Sequence, residues 1–221
     1  MGRLVEHKRT ILKIAFFFAI ITITAMIVLI PKPVLKIRKN IVYMSGFYIG
    51  YPQKDDPRYY LEIKDNGTYI LIYDDSRRFE ENYNEDGGGG GPEINIYYGK
   101  YEKKDDNYLI KPSSSAMVSF KNTIAVKNNI INGYGFTNYG NNKNVKGMIL
   151  YKNKAGVYVL GVPNHKMTHY KKDVPYYMLY NKSDIKKLPS SVEEFRKQFK
   201  MDKKAEQERL AEEARLTGQS Q

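Results

Sequence analysis

From Ile14-Ala15-Phe16-Phe17-Phe18 to Met26-Ile27-Val28-Leu29-Ile30 the chain carries no charged side chain. Together with Ile11, Leu12 and a snorkelling Lys13, this run approaches the roughly 20 residues a helix needs to cross a bilayer core. The expectation is one transmembrane helix over residues 11–31, with Ile14, Phe16, Phe17, Phe18, Ile20, Ile21, Ile23, Ile27, Val28, Leu29 and Ile30 as the membrane anchor. A cleavable leader needs a shorter apolar stretch and small residues at its end. Here the run ends in Val28-Leu29-Ile30-Pro31-Lys32, which favours an uncleaved anchor.

Basic residues stand on both sides of the run, Arg3, Lys8, Arg9 and Lys13 before it and Lys32, Lys36, Arg38 and Lys39 after it. Long domains translocate largely regardless of such flanking charge. The expected layout is a short cytoplasmic start (1–10), the anchor (11–31), a basic linker (32–40) and an extracytoplasmic body on a single-pass membrane protein.

The chain has no cysteine, which excludes disulfides, thiolate metal sites and cysteine nucleophiles. An external domain without disulfides fits a bacterial envelope. A net charge of +12 gives the chain a long-range preference for anionic surroundings such as phospholipid head groups or phosphate-bearing wall polymers. Tyrosine interleaved with lysine also suits base stacking, but a membrane anchor argues against nucleic acid as the partner.

The body reads as β. Residues 41–51 suggest a first strand bent at Gly46. Tyr59 to Lys64 and Thr68 to Tyr73 flank Asp65-Asn66-Gly67, a tight-turn signal. Residues 74–92, ending in five glycines from Gly87 to Gly91, suggest a long flexible loop, because ordering pentaglycine costs maximal backbone entropy. Strand-like segments then recur at 94–101, 107–111, 116–121, 123–127, 130–136, 145–152, 156–162 and 176–180, separated by Asn-, Asp- and Gly-rich breaks. From Pro189 the pattern becomes helical: Ser190 and Ser191 precede Glu193 and Glu194 as in a capping box, and Val192, Phe195 and Phe199 share one face. The fold class expected is mainly β, an antiparallel barrel or highly curved sheet over 41–188, with the transmembrane helix before it. A charged C-terminal helix over 189–216 and a disordered end at 217–221 follow.

Gly46-Phe47-Tyr48, then Leu61-Glu62-Ile63 with Asn66-Gly67-Thr68-Tyr69, then Gly99-Lys100-Tyr101 and Tyr108-Leu109-Ile110 give an order that resembles the small lipocalin-like domains of bacterial envelope proteins. The resemblance covers about residues 43–111. It departs from the pattern in lacking a tryptophan in the first strand and a lipid-anchoring cysteine, and in carrying the glycine-rich insertion. It implies a barrel that binds a small apolar or envelope-derived ligand, or packs as an adaptor.

Chemistry has few candidates. His165 and His169 form the one histidine pair in the body, but no Glu follows His165 as the zinc-peptidase helix requires. The carboxylate pairs Asp55-Asp56 and Asp74-Asp75 and the Ser113-Ser114-Ser115 run read as turn residues. No catalytic, cofactor or metal residue is therefore assigned. The expected function is non-enzymatic: an envelope binding or adaptor module whose partners are membrane lipid and a small amphipathic ligand or an envelope protein. A tethered hydrolase of cell-wall material and an assembly or immunity factor are the alternatives.

Overall fold

The structure is a computed structural model that describes residues 16–17, 30–46, 50–83, 91–140, 145, 147–166 and 168–218. Most of the expected anchor, Ile14, Phe18, Ile20, Ile21, Ile23, Ile27, Val28 and Leu29 included, lies outside the described residues. Phe16 and Phe17 are helical and Ile30 sits in a bend. Among the described residues no helix is long and apolar enough to cross a membrane.

Contacts divide the chain into residues 1–32 and Pro33–Gln221. The second unit is mainly β, an antiparallel sheet nearly closed into a barrel. Its strands are β1 (Val42–Gly46), β2 (Arg58–Ile63), β3 (Thr68–Asp74), β4 (Glu93–Lys104), β5 (Asn107–Ser119), β6 (Ile130–Ile131), β7 (Gly133–Asn138), β8 (Met148–Lys152), β9 (Tyr158–Gly161), β10 (Tyr176–Met178) and β11 (Lys200–Met201). The path β1-β2-β3-β4-β5-β8-β9-β10 is joined at its ends by an antiparallel bridge between Met44 and Tyr180. Closure of this kind satisfies edge groups that an open sheet would leave unpaired.

Alternation along the strands separates two cores. Tyr43, Leu61, Leu71, Ile110, Leu150 and Leu160 belong to one cluster drawn from strands all round the sheet, so this face is the barrel interior. Met44, Tyr60, Ile70, Ile96 and Val118 face outward, where Leu188, Phe195 and Phe199 cover them. Val34 and Ile37, within the expected basic linker, are buried in the interior cluster. Val34 is fixed there by backbone hydrogen bonds, its N–H to Leu179 O at 2.9 Å and its carbonyl from Tyr158 N at 2.8 Å.

The expected β2–β3 hairpin is present, with Gly67 at φ +83° in its turn and the Asn66 side chain accepting from Thr68 N at 3.1 Å. Elsewhere the structure departs from the expected elements. Thr123–Lys127 is not a strand but a short helix, α1, because Asn122 Oδ1 caps Ala125 N at 2.9 Å. The segments 107–111 and 116–121 are one strand, β5, which runs through Pro112; that proline falls beside the irregularity between Tyr98 and Gly99, where the ladder already shifts register.

Instead of one C-terminal helix over 189–216, there are α2 (Val192–Arg196), the two-residue β11 and α3 (Lys203–Gly218). Ser191 caps α2, with Glu194 N donating to Ser191 Oγ at 3.1 Å, while the Glu194 carboxylate accepts from Ser190 N at 2.7 Å, one residue before the N-cap. Burial of Phe199 against Phe120 and Phe195 and pairing of β11 with β6 interrupt the helix. Asp202 restarts it by accepting from Lys204 N and Ala205 N at 3.0 and 3.1 Å. The first part of the expected flexible loop is also tied down: Asp74 and Asp75 hold Arg77 and Arg78, residues 80–83 form a 3-10 turn, and residues 84–90 lie outside the described residues.

Candidate functional site

The first half of β5 pairs with β8 through Tyr108, Leu109 and Ile110, whereas its second half pairs with β7 from Ser114 to Ser119. Pro112 lies at this change of partner. A cavity of about 220 Å³ lies here, walled by Pro112, Gly147 and Met148 together with Tyr59, Tyr69, Leu71, Tyr73, Tyr97 and Ile110. None of these side chains carries a formal charge at neutral pH.

Register brings the tyrosines together. Tyr59 on β2 is directly opposite Tyr73 on β3, and Leu71 on β3 is opposite Tyr97 on β4. The Tyr59 ring packs against Tyr73 and Tyr177, with centroids 4.9 Å away in each case and planes tilted by 34° and 35°. Such aromatic contacts contribute roughly 0.5–1.5 kcal/mol each beyond burial. Tyr69 is 2 % exposed. Its ring lies against Gly99, where an added Cβ would stand 2.9 Å from Tyr69 Cε1.

Burial raises all four phenol pKa values. The Tyr73 hydroxyl is pushed up to about 12, by burial first and by the Asp75 carboxylate second. Tyr59 is raised by burial, with Tyr177 and Tyr73 adding to the effect; Tyr69 and Tyr97 are raised by burial and by neighbouring tyrosines. The phenols therefore stay neutral and able to donate hydrogen bonds across the physiological pH range.

Two larger hollows are surface grooves. One, of about 390 Å³, lies over the turns that hold Asp105, Asp106, Lys152 and Lys154; the other, of about 560 Å³, lies between α1, β6 and the start of α3. Neither is enclosed by the barrel.

Of the two histidines of the body, His169 is held by its neighbours. His169 Nδ1 lies 2.7 Å from Tyr170 O, and its ring packs 4.1 Å from Tyr151 and 4.4 Å from Tyr170. His165 is exposed in the loop that Asn164 organises by accepting from Thr168 N at 2.9 Å. Among the described residues no group of three or more His, Cys, Asp or Glu is placed to hold a metal ion.

Asp56 Oδ2 accepts from Gln53 N at 2.8 Å. Asp74 accepts from Ser76 and Arg77, and Asp75 from Arg78. The serine run lies in β5, with Ser113 bonded to Tyr98 O at 3.1 Å and Ser115 to Tyr139 at 2.9 Å.

No protein-family profile, curated protein or solved structure matches this chain.

Proposed function

We propose that the chain is a membrane-tethered, non-enzymatic binding module of the cell envelope, whose lipocalin-like barrel takes a small neutral amphipathic molecule in the tyrosine-lined cavity. The uncharged run from Ile14 to Ile30 supports the tether. The observation that carries the binding reading is the uncharged wall of four tyrosines with Leu71, Ile110 and Met148. Ring faces and aliphatic groups suit apolar surface, and protonated phenols suit a guest that accepts hydrogen bonds. An ionised guest would lose its hydration with no opposite charge to replace it. At about 220 Å³ the cavity is smaller than the roughly 300–1,000 Å³ of drug-sized sites, which limits it to a small molecule or one end of a larger amphiphile.

Native mass spectrometry of the full-length chain, purified in mild detergent from the cells that make it, tests this reading. A co-purifying neutral molecule that also raises the thermal midpoint is the expected result. A bare protein with no thermal shift across envelope lipids, neutral sugars and short peptides would leave a protein adaptor as the better account. Protease added to wall-stripped, membrane-sealed cells tests the tether: digestion of the body with a retained membrane stub is expected, and a fully protected body would overturn the external placement.

A further inference from the structure

The strand-turn end of the barrel carries the basic charge that the interior lacks. It gathers residues 35–40, the β2–β3 turn, the β4–β5 turn and the β8–β9 turn. Asn40 N donates to Ile63 O at 2.8 Å, Lys39 Nζ to Tyr101 Oη at 2.7 Å, Tyr101 N to Gly67 O at 3.1 Å, and Tyr158 Oη to Asp106 O at 2.8 Å. Exposed here are Lys36, Arg38, Lys103, Lys104 and Lys154, and Lys39 adds its charge over the Tyr101 ring. Opposing them are Asp65, Glu102 and Asp105, while Asp106 is paired with Lys152 at 2.9 Å and Glu62 with Lys64 at 4.0 Å. Leu35 is 61 % exposed between the buried Val34 and Ile37.

Chain length decides what this end meets, given the proposed anchor on which the inference rests. The apolar run ends at Ile30 and the barrel core begins at Val34. Four residue steps span at most about 14 Å even when fully extended, and the head-group layer itself is roughly 5–8 Å deep on each side. With the anchor ending at Ile30, that reach leaves the start of the barrel core at most about 6–9 Å beyond the head groups, which keeps this end of the barrel close to the bilayer. We propose that the strand-turn end of the barrel docks on an anionic lipid surface, with Leu35 at the head-group boundary and Lys36, Arg38, Lys103 and Lys104 on lipid phosphates. Basic side chains near such a surface each shift an equilibrium about fivefold toward it, less at high salt.

The chain has no cysteine, so single labels are clean. Full-length A155C, labelled in the β8–β9 turn, and K54C, labelled in the β1–β2 connection at the other end, are reconstituted into vesicles containing a head-group quencher. In phosphatidylglycerol mixed with phosphatidylcholine, the label at position 155 is expected to be quenched at least about fivefold more than that at 54. That contrast is expected to fall in pure phosphatidylcholine, in high salt, and in the variant carrying Lys36→Glu, Arg38→Glu, Lys103→Glu and Lys104→Glu. Circular dichroism of that variant checks that it folds, and the salt titration of the unchanged chain tests the same point without it. Equal quenching at both ends, or a contrast indifferent to lipid charge, overturns docking while leaving the anchor in place. Release of the whole chain from vesicles by alkaline carbonate overturns the anchor, and the docking proposal with it.

Discussion

Met44 and Tyr180 exchange both backbone hydrogen bonds, Met44 N to Tyr180 O at 3.2 Å and Tyr180 N to Met44 O at 2.8 Å, and this pair joins the two ends of the sheet. The Tyr180 ring also meets Tyr51 edge-on, centroids 5.4 Å apart. Tyr180→Pro removes the donor and leaves Met44 O unsatisfied at the seam. It should cost about 3 kcal/mol in chemical denaturation and expose the Met44 amide to hydrogen exchange. Tyr180→Phe keeps backbone and ring and should stay within about 1 kcal/mol. Unchanged Met44 protection in the proline variant would show that the seam is not what holds the ends together.

Arg58 is 3 % exposed and works as a fork. Its guanidinium donates to the carbonyls of Gln53, Lys54 and Asp56 and to Asp184 Oδ2 at 3.3 Å, tying the β1–β2 connection to the segment after β10. Arg58→Ala should destabilise by about 3 kcal/mol, since four acceptors lose one charged donor group and the packing of a buried side chain is lost with it. Arg58→Lys should recover little of this, because one ammonium cannot match acceptors spread around a planar group. Full recovery by lysine, measured from urea midpoints, would refute the fork geometry.

The hairpin of β2 and β3 was legible because Asn66-Gly67 announces its turn and a period of two follows on both sides. That register already implies Tyr59 opposite Tyr73, the first two walls of the cavity. Tyr97 and Tyr177 were not legible as neighbours, because 20 tyrosines on alternating faces leave no local mark of which ones converge. Nor was α1: Thr123-Ile124-Ala125-Val126 reads as a strand on β-branched content, and one capping asparagine outweighs that preference in a five-residue element. The single β5 was hidden by Pro112, which breaks a ladder except where the ladder is already irregular. Arg58 was missed because three of its acceptors are backbone carbonyls, which leave no trace in residue identity, and the fourth, Asp184, lies 126 residues away.

Gly99 shows how closely the β4–β5 irregularity is packed. A Cβ there would lie 2.0 Å from Lys111 O and 2.9 Å from Tyr69 Cε1. The carbonyl belongs to the neighbouring backbone and cannot swing away as a side chain can. Gly99→Ala should therefore cost about 3 kcal/mol and displace Tyr69 from the cavity wall, seen as altered near-ultraviolet circular dichroism. A fully tolerated alanine would mean that the two strands sit farther apart at this point.

High pH should unfold the barrel through its phenols. Tyr73 titrates near 12 in the folded state, and Tyr59 and Tyr69 are also raised above the ordinary value of 10.0. For an acid whose folded pKa is raised, the unfolded chain releases its proton first, so the folded state binds more protons above pH 10. These groups leave stability intact below about pH 10, and their contribution is lost as pH rises from there toward 12. Urea midpoints measured from pH 8 to 11.5 should be level at first and then decline, while absorbance at 295 nm shows these tyrosines ionising late. Tyrosines that all ionise near 10 with no change in midpoint would contradict the buried phenols.

Ring and hydroxyl contributions to the cavity can be separated by two substitutions. Tyr97→Phe keeps the ring that faces Leu71 and removes one donor, whereas Met148→Trp places bulk at the change of partner along β5. The phenylalanine variant should fold within about 1 kcal/mol of the parent and bind the co-purifying molecule roughly fivefold more weakly if that phenol donates to it. The tryptophan variant should fold with a penalty of about 1–3 kcal/mol and lose at least about tenfold in affinity, because added bulk in a packed space both strains and occludes it. Calorimetric titration reads both. Parent-like affinity in both variants, each shown to be folded, would place the guest elsewhere on the protein and remove the cavity from the account of function.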